Sequence, residues 1–233
     1  MKTNKEFLEQ ILSEFPNTKA EDWHRHSNGG GWVYKTAKVA ETAFVGGNAL
    51  VYDNAKVLDN AKVGDNARVF GEALVYDDAM VYGNTNVSGK AMIYNKARVY
   101  DKARVFDNAM VFNCALIYGN AMIFQNAKVY DKAMIWDNAM IFDRACAYNN
   151  AKVSDNAKVY GKVQIHSMAM VYDNANVYDN ALVYAEARVF DNANVYGNSV
   201  VCDKVWVFNN AMVYGNAVVS GSTMVNRNTK ICE

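Results

Sequence analysis

The chain has 233 residues, and its 24 lysine and arginine residues balance 24 aspartate and glutamate residues, so the formal net charge at pH 7 is zero. This balance gives no general electrostatic attraction for nucleic acid or for an anionic membrane surface. No stretch approaches the roughly 18 consecutive apolar residues of a membrane-spanning helix, and the first residues lack the apolar core of a signal peptide. We therefore expect a cytoplasmic protein that binds neither nucleic acid nor membrane.

The first predicted element is a helix over residues 4–15. Its apolar residues recur at helical spacing, which is typical of a helix with one buried face; they are Phe7, Leu8, Ile11, Leu12 and Phe15. Asn4 is the expected N-terminal cap of this helix. Residues 16–32 follow as a connector, and the glycines at positions 29–31 are expected to let the chain turn.

A six-residue repeat fills the rest of the chain. From Val33 to Ile231 every sixth residue is Val or Ile, with Ala147 as the one exception among 34 positions. Alanine stands four residues after this aliphatic position in 27 of 33 cases. The alanine and the next aliphatic residue share parity on a strand, so they face the same side. The polar pair between them, typically Asp-Asn or Gly-Asn, suits a tight corner. Each hexapeptide therefore predicts one short strand and one corner.

Units such as Val-Leu-Asp-Asn-Ala-Lys (57–62) and Val-Gly-Asp-Asn-Ala-Arg (63–68) resemble the repeats of hexapeptide-repeat left-handed β-helix proteins. Gly-Gly-Trp-Val at 30–33 resembles the start of the repeats in a bacterial hexapeptide transferase-like subgroup. The resemblance implies an all-β solenoid, a left-handed parallel β-helix of about 11 triangular coils with three hexapeptides in each. A solenoid exposes the core of its first coil, so we expect the short N-terminal helix to cap it. The predicted division is a cap and connector at 1–30 and the repeats at 31–233.

The outward position after the aliphatic residue is aromatic in 23 of 34 units, and it holds all 15 tyrosines. In a three-sided coil, residues 18 apart lie above one another, so the rings form ladders on three faces. Rings about 4.8 Å apart offset-stack, at roughly 0.5–1.5 kcal/mol per pair. One interpretation is that these ladders stabilise a monomeric rod; the other is that they form a surface for self-association or for another molecule.

Nine of the 11 methionines occupy the outward position before the aliphatic residue. Contiguous outward methionine, leucine and aromatic residues favour a buried interface. The candidate interface residues are Leu74, Tyr76, Met92, Tyr94, Met110 and Phe112 on the second face, and Met80, Tyr82, Leu116, Tyr118, Met134 and Trp136 on the third. We predict a homo-oligomer, with a trimer favoured because the proteins that the repeats resemble are commonly trimers. A small ligand or a protein partner at the interface is a further expectation.

Aspartate recurs at the corners, as in Asp53, Asp59 and Asp65. Stacked carboxylates are able to collect Ca²⁺, but Lys or Asn stands next to them and Gly often replaces them, which favours solvated corners. His24 and His26 precede the repeats without an adjacent third ligand, and the four cysteines have no CxxC spacing. We therefore predict no metal site and no cofactor.

His166 is the single histidine in the repeats and the one candidate catalytic residue. The acyltransferases that the repeats resemble use one histidine as general base at a subunit interface, which makes an acyltransferase-like enzyme the alternative function. His166 also fits a ring in the second-face ladder. No insertion interrupts the 34 units, and no glycine-rich phosphate loop is present, so a non-catalytic structural or binding protein is preferred. The chain stops within a predicted strand, and exposed strand edges template pairing, so an end-to-end polymerising rod is a further alternative.

Overall fold

The computed structural model describes residues 3–233, and most of them form a parallel β-solenoid. Successive strands pass to three sheets in rotation, so that each strand pairs with strands 18 residues away, as Lys56 does with Leu74. Within the described residues, sheet 1 has 13 strands and sheets 2 and 3 have 11 strands each. This confirms the predicted solenoid of about 11 coils. The left-handed sense of the coil stays a prediction from the resemblance.

The strands of the three sheets are short, and most are two residues long. Sheet 1 contains β1 (Trp23–Arg25), β2 (Trp32–Tyr34), Leu50–Val51, Arg68–Val69, Asn86–Val87, Arg104–Val105, Met122–Ile123, Met140–Ile141, Lys158–Val159, Asn176–Val177, Asn194–Val195, Met212–Tyr214 and Lys230–Cys232. Sheet 2 contains β3 (Lys38–Val39), Lys56–Val57, Leu74–Val75, Met92–Ile93, Met110–Val111, Lys128–Val129, Cys146–Ala147, Gln164–Ile165, Leu182–Val183, Val200–Val201 and Val218–Val219. Sheet 3 contains β4 (Phe44–Val45), Lys62–Val63, Met80–Val81, Arg98–Val99, Leu116–Ile117, Met134–Ile135, Lys152–Val153, Met170–Val171, Arg188–Val189, Trp206–Val207 and Met224–Val225.

The core runs along the inside of the three sheets. The repeated valine, isoleucine and alanine side chains fill it, and from residue 43 to 217 these are almost all wholly buried. Burial of a valine or isoleucine side chain contributes roughly 1.5–3 kcal/mol. Ala147 takes an aliphatic position in sheet 2 and lies beside Ile165 of the next coil, while Val163 replaces a small alanine nearby. The two exchanges offset each other in volume, as close packing requires.

The corners have a left-handed backbone and a hydrogen-bond role that the sequence did not reveal. From Gly47 to Arg227 the first corner residue of every unit has a positive φ. At 13 of these corners an aspartate Oδ2 accepts the backbone N–H of the first corner residue one coil later, at 2.9–3.3 Å. The carboxylates therefore tie successive coils together.

The second corner residue is often asparagine, and these side chains form amide ladders. For example, the Asn120 amide donates to Asn138 at 3.0 Å, and Asn138 donates to Asn156 at 3.2 Å. Stacking of identical amides at one coil spacing resembles the asparagine ladders that stabilise other stacked β-structures. The corners are thus bonded along the rod in addition to the strands.

The N-terminal helix, α1 (Asn4–Glu14), is confirmed, but its cap and its location differ from the prediction. Thr3 is the cap: its hydroxyl accepts the Glu6 N–H, and its own N–H donates to the Glu6 carboxylate at 2.6 Å. The expected cap, Asn4, is the first helical residue, and its side chain instead accepts a hydrogen bond from Arg25. Ile11 is buried in a cluster with Trp23, Trp32 and Leu50. The helix therefore packs on the outer face of sheet 1.

The connector covers the strand edges of the first coil on sheets 1 and 3. Residues 23–25, which were predicted as part of the connector, form β1 and pair antiparallel with β2. The loop that follows bonds to β4, with the Val45 N–H donating to the Asn28 carbonyl at 3.1 Å. Gly29 and Gly30 have φ values of 107° and 72°, and a side chain at Gly29 would collide with the Val45 carbonyl. The glycines are needed for this approach, as expected.

Candidate interaction surface

The outward aromatic residues form continuous stacks. On sheet 2 the rings of Tyr76, Tyr94, Phe112, Tyr130 and Tyr148 follow one another at 4.8–4.9 Å with interplanar angles of 1–7°. Sheet 1 carries a similar stack from Phe106 to Tyr214. Sheet 3 is less regular, since Tyr82 and Tyr100 are 6.2 Å apart and tilted by 27°. The ladders are therefore internal stabilisers, whatever else they bind.

The candidate interface residues form two strips on neighbouring sheets. Strip 2, on sheet 2, joins Leu74, Met92 and Met110 on adjacent paired strands with the rings of Tyr76, Tyr94 and Phe112. Strip 3, on sheet 3, joins Met80, Leu116 and Met134 with the rings of Tyr82, Tyr118 and Trp136, and Arg98 lies between Met80 and Leu116. All 12 side chains are half-buried, because the methionines and leucines lie beside the rings. Each strip is a partly exposed apolar surface along one side of the rod.

On sheet 1, part of the corresponding outward surface is covered by α1. On sheet 1, the outward position before the aliphatic residue holds Trp32 and Leu50 under the helix, and both are nearly inaccessible. One coil further the same position holds Arg68, which pairs with Glu14 at the end of the helix. The apolar residues in this position are therefore covered where α1 lies, whereas Met122 and Met140 further along sheet 1 are half-buried without a covering element among the described residues. Strips 2 and 3 repeat this composition without a covering element among the described residues.

A shallow concavity lies along the corner between the two strips. Its volume is about 880 Å³, and the corner residues between 95 and 168 line it, including Lys96, Cys114 and Lys132. Cys114 is exposed. Asn113 is already bonded across the coil, since its amide donates to Asp131 at 2.8 Å. The concavity is therefore lined by two lysine side chains, the Cys114 thiol and asparagine carboxamides, and the Asn113 carboxamide already donates a hydrogen bond within the chain.

His166 is a ring in the ladder of sheet 2. It stacks on Tyr148 at 4.8 Å and on Tyr184 at 5.1 Å. Its Nδ1 lies 3.1 Å from the Ser167 hydroxyl, and burial lowers the pKa of its imidazole. A lowered pKa keeps the ring neutral near pH 7. No carboxylate among residues 3–233 hydrogen-bonds to His166, so the orienting group of a catalytic dyad is not supplied by the described chain. The general-base role stays a prediction.

The remaining candidate groups are structural in their contacts. His26 is largely buried and its Nδ1 lies 3.1 Å from the Asn28 carbonyl oxygen, whereas His24 is exposed on β1. Among the described residues, no three histidine, cysteine or carboxylate side chains lie close enough together to hold a metal ion. No helix within residues 3–233 is long and apolar enough to cross a membrane.

One family model matches the chain: the YdcK Beta solenoid repeat aligns with residues 207–228. This segment includes one strand of each sheet, Met212–Tyr214, Val218–Val219 and Met224–Val225. No curated protein matches the chain. The match covers only this segment of the chain; it agrees with the parallel β-solenoid of about 11 coils and is consistent with the hexapeptide-repeat β-helix proteins that the sequence resembles.

Proposed function

We propose that the protein is a non-catalytic structural or binding protein that associates with further copies of itself through strips 2 and 3. The observation that carries the proposal is the match between these strips and the part of sheet 1 that α1 covers. In both places leucine, methionine or tryptophan stands beside aromatic rings; exposed Arg98 interrupts strip 3, and exposed Lys128 follows the end of strip 2. Covering such a surface removes apolar area from water at about 25 cal/mol per Å².

The placement of the strips favours a closed ring. A two-fold dimer needs one self-complementary patch, whereas a ring is built from two different patches that meet head to tail. Strips 2 and 3 lie on two different sides of the rod at the same height, because their strands alternate along residues 74–136. A trimer is the ring that the resemblance predicts. In such a ring the concavity at Lys96, Cys114 and Lys132 lies where two subunits meet, and it is the proposed place for a small ligand.

Solution mass tests the proposal. Light scattering over a hundredfold concentration range is expected to give one constant mass above that of the monomer, three times the chain mass of 26.0 kDa for a trimer. A constant monomer mass would contradict self-association. A mass that rises steadily with concentration would support the end-to-end rod instead.

A matched pair of double variants assigns the interface. Met92→Lys with Met110→Lys places two charges on adjacent strands of strip 2, and it is expected to give a folded monomer. Met122→Lys with Met140→Lys makes the same change at the same repeat position on sheet 1, again on adjacent strands. The control is expected to keep the wild-type mass. Dissociation of both variants, or of neither, would remove the role of strip 2.

A further inference from the structure

The aromatic ladder of sheet 1 has one open gap. Tyr52 and Phe70 stack at 4.9 Å, and the stack resumes with Phe106 and Phe124 at 4.9 Å. Ser88 takes the position between Phe70 and Phe106. The two phenylalanines are therefore two coil spacings apart, about 10 Å, which is the separation that one intervening ring fills everywhere else in the ladders. A slot of about 250 Å³ lies at this gap.

Three of the polar side chains that line the slot have no partner in the described chain. Arg68, Asn86 and Arg104 line it beside the rings. Arg68 is neutralised by Glu14, with Nη2–Oε2 at 2.7 Å. The guanidinium of Arg104 has no ion pair or hydrogen bond within residues 3–233, and it lies 5.8 Å from the Phe106 ring centre. The side chains of Asn86 and Ser88 are likewise unbonded among the described residues, so three donors converge on the gap.

The second gap in the ladders shows that an open slot is not a necessary result of a missing ring. Ser154 on sheet 3 stands between Trp136 and Tyr172 in the same repeat position. It is only 4% exposed, and its hydroxyl donates to Asp155 at 2.7 Å. The neighbouring side chains thus close over Ser154 and its polar group is satisfied. At Ser88 the gap stays half-open, and the hydroxyl has no such partner.

We propose that the slot over Ser88 binds a planar aromatic carboxylate, whose ring completes the stack between Phe70 and Phe106 and whose carboxylate pairs with Arg104. One unpaired guanidinium matches a single negative charge, and its planar fork suits a carboxylate. The volume lies just below the range of drug-sized pockets, which fits a ligand of one or two fused rings. The site lies on sheet 1, away from strips 2 and 3, so it does not depend on self-association.

Binding of 2-naphthoate to the full-length protein tests the proposal, measured by isothermal titration calorimetry. Wild type is expected to bind one molecule per chain. Arg104→Gln is expected to weaken binding at least tenfold, because it removes the charge and keeps the side-chain length. Arg188→Gln, the same change at the same repeat position on sheet 3 and outside the strips, is the matched control, since its guanidinium also lies over a ring, 5.2 Å from the Trp206 centre; it is expected to leave binding unchanged.

Filling the gap gives the sharpest result. Ser88→Phe supplies the missing ring from the chain itself, so it is expected to abolish binding and to raise the melting temperature. Ser88→Leu fills the same space and serves if the ring variant does not fold. Cyclohexanecarboxylate, which is not planar, is expected to bind at least tenfold more weakly than 2-naphthoate. The proposal is overturned if wild type does not bind 2-naphthoate, if binding survives filling of the gap, or if the two carboxylates bind equally.

Discussion

The corner at Ala185 permits a quantitative test of how the coils are held together. Ala185 has a φ of 59°, in the left-handed region that costs an ordinary residue about 1–2 kcal/mol. It also lacks a carboxylate for the N–H of Asp203 one coil later, whereas Asp179 at the preceding corner accepts the Gly197 N–H at 3.1 Å. Ala185→Asp is therefore expected to relieve part of the strain and to add one hydrogen bond, which contributes roughly 0.5–1.5 kcal/mol.

The expected gain is about 1–2 kcal/mol, or a melting temperature higher by about 2–8 °C for a chain of this size. Thermal melts followed by circular dichroism measure it. Ala185→Gly separates the two causes, because it relieves the strain without supplying an acceptor. Asp179→Ala is the reverse change, and it is expected to lower the melting temperature by a similar amount. The reasoning fails if the aspartate variant at 185 is no more stable than the glycine variant, or if Asp179→Ala has no effect.

Three further changes test the helix and the ladders. Ile11→Ala is expected to weaken docking of α1 by about 2–5 kcal/mol. Amide hydrogen exchange should become faster in residues 4–14 and stay unchanged in the central strands. Faster exchange throughout the chain would argue against local docking of the helix. Burial raises the pKa of Tyr52 to about 12, above the ordinary value near 10. The unfolded chain therefore releases this proton at lower pH than the folded chain, and stability is unaffected below about pH 10 and falls between pH 10 and 12. Tyr52→Phe should reduce the loss of melting temperature between pH 9 and pH 11. An equal loss in wild type and variant would refute the assignment of this pH dependence to Tyr52. Burial lowers the pKa of His166. The contribution of its neutral imidazole to folding stability is therefore fully present above the ordinary pKa near 6.5, and it is lost as the pH falls through the folded-state pKa. His166→Tyr keeps a ring in the ladder, and its advantage in melting temperature should be larger at pH 5 than at pH 7; a constant difference would contradict this.

The two serine gaps bear on how the ladders are interpreted. If the rings served only to stabilise the rod, an aromatic residue at position 88 would be the simpler solution, since its neighbours at Phe70 and Phe106 already have the spacing for it. The gap coincides with Arg104, which has no ion pair in the described chain, and with the end of α1 at Glu14. The ladders thus stabilise the rod, and the ladder of sheet 1 is left incomplete at Ser88.

Much of this architecture was determined by the sequence alone. The spacing of six from Val33 to Ile231, with alanine two residues before most of the aliphatic residues, requires strands with one inward face and a corner after each. The same spacing assigned the 23 aromatic residues that follow the aliphatic position to three ladders, because residues 18 apart must lie on neighbouring strands once three units make one coil. The helix was equally readable from its apolar stripe. These features depend on local periodicity, which a single sequence displays directly.

Only the tertiary structure decided where the separate pieces meet. The stripe of α1 predicted a buried face, but whether that face covers the end of the core or the side of sheet 1 depends on contacts with Trp32 and Leu50, far away in sequence. The pairing of residues 23–25 as β1 likewise depends on a free edge at β2, since its own residues carry no repeat. The corner aspartates looked like solvated turn residues until the next coil placed a backbone N–H within 2.9–3.3 Å of them. The difference between Ser88 and Ser154, one open and one closed, arises from the side chains stacked around each, and periodicity is the same for both.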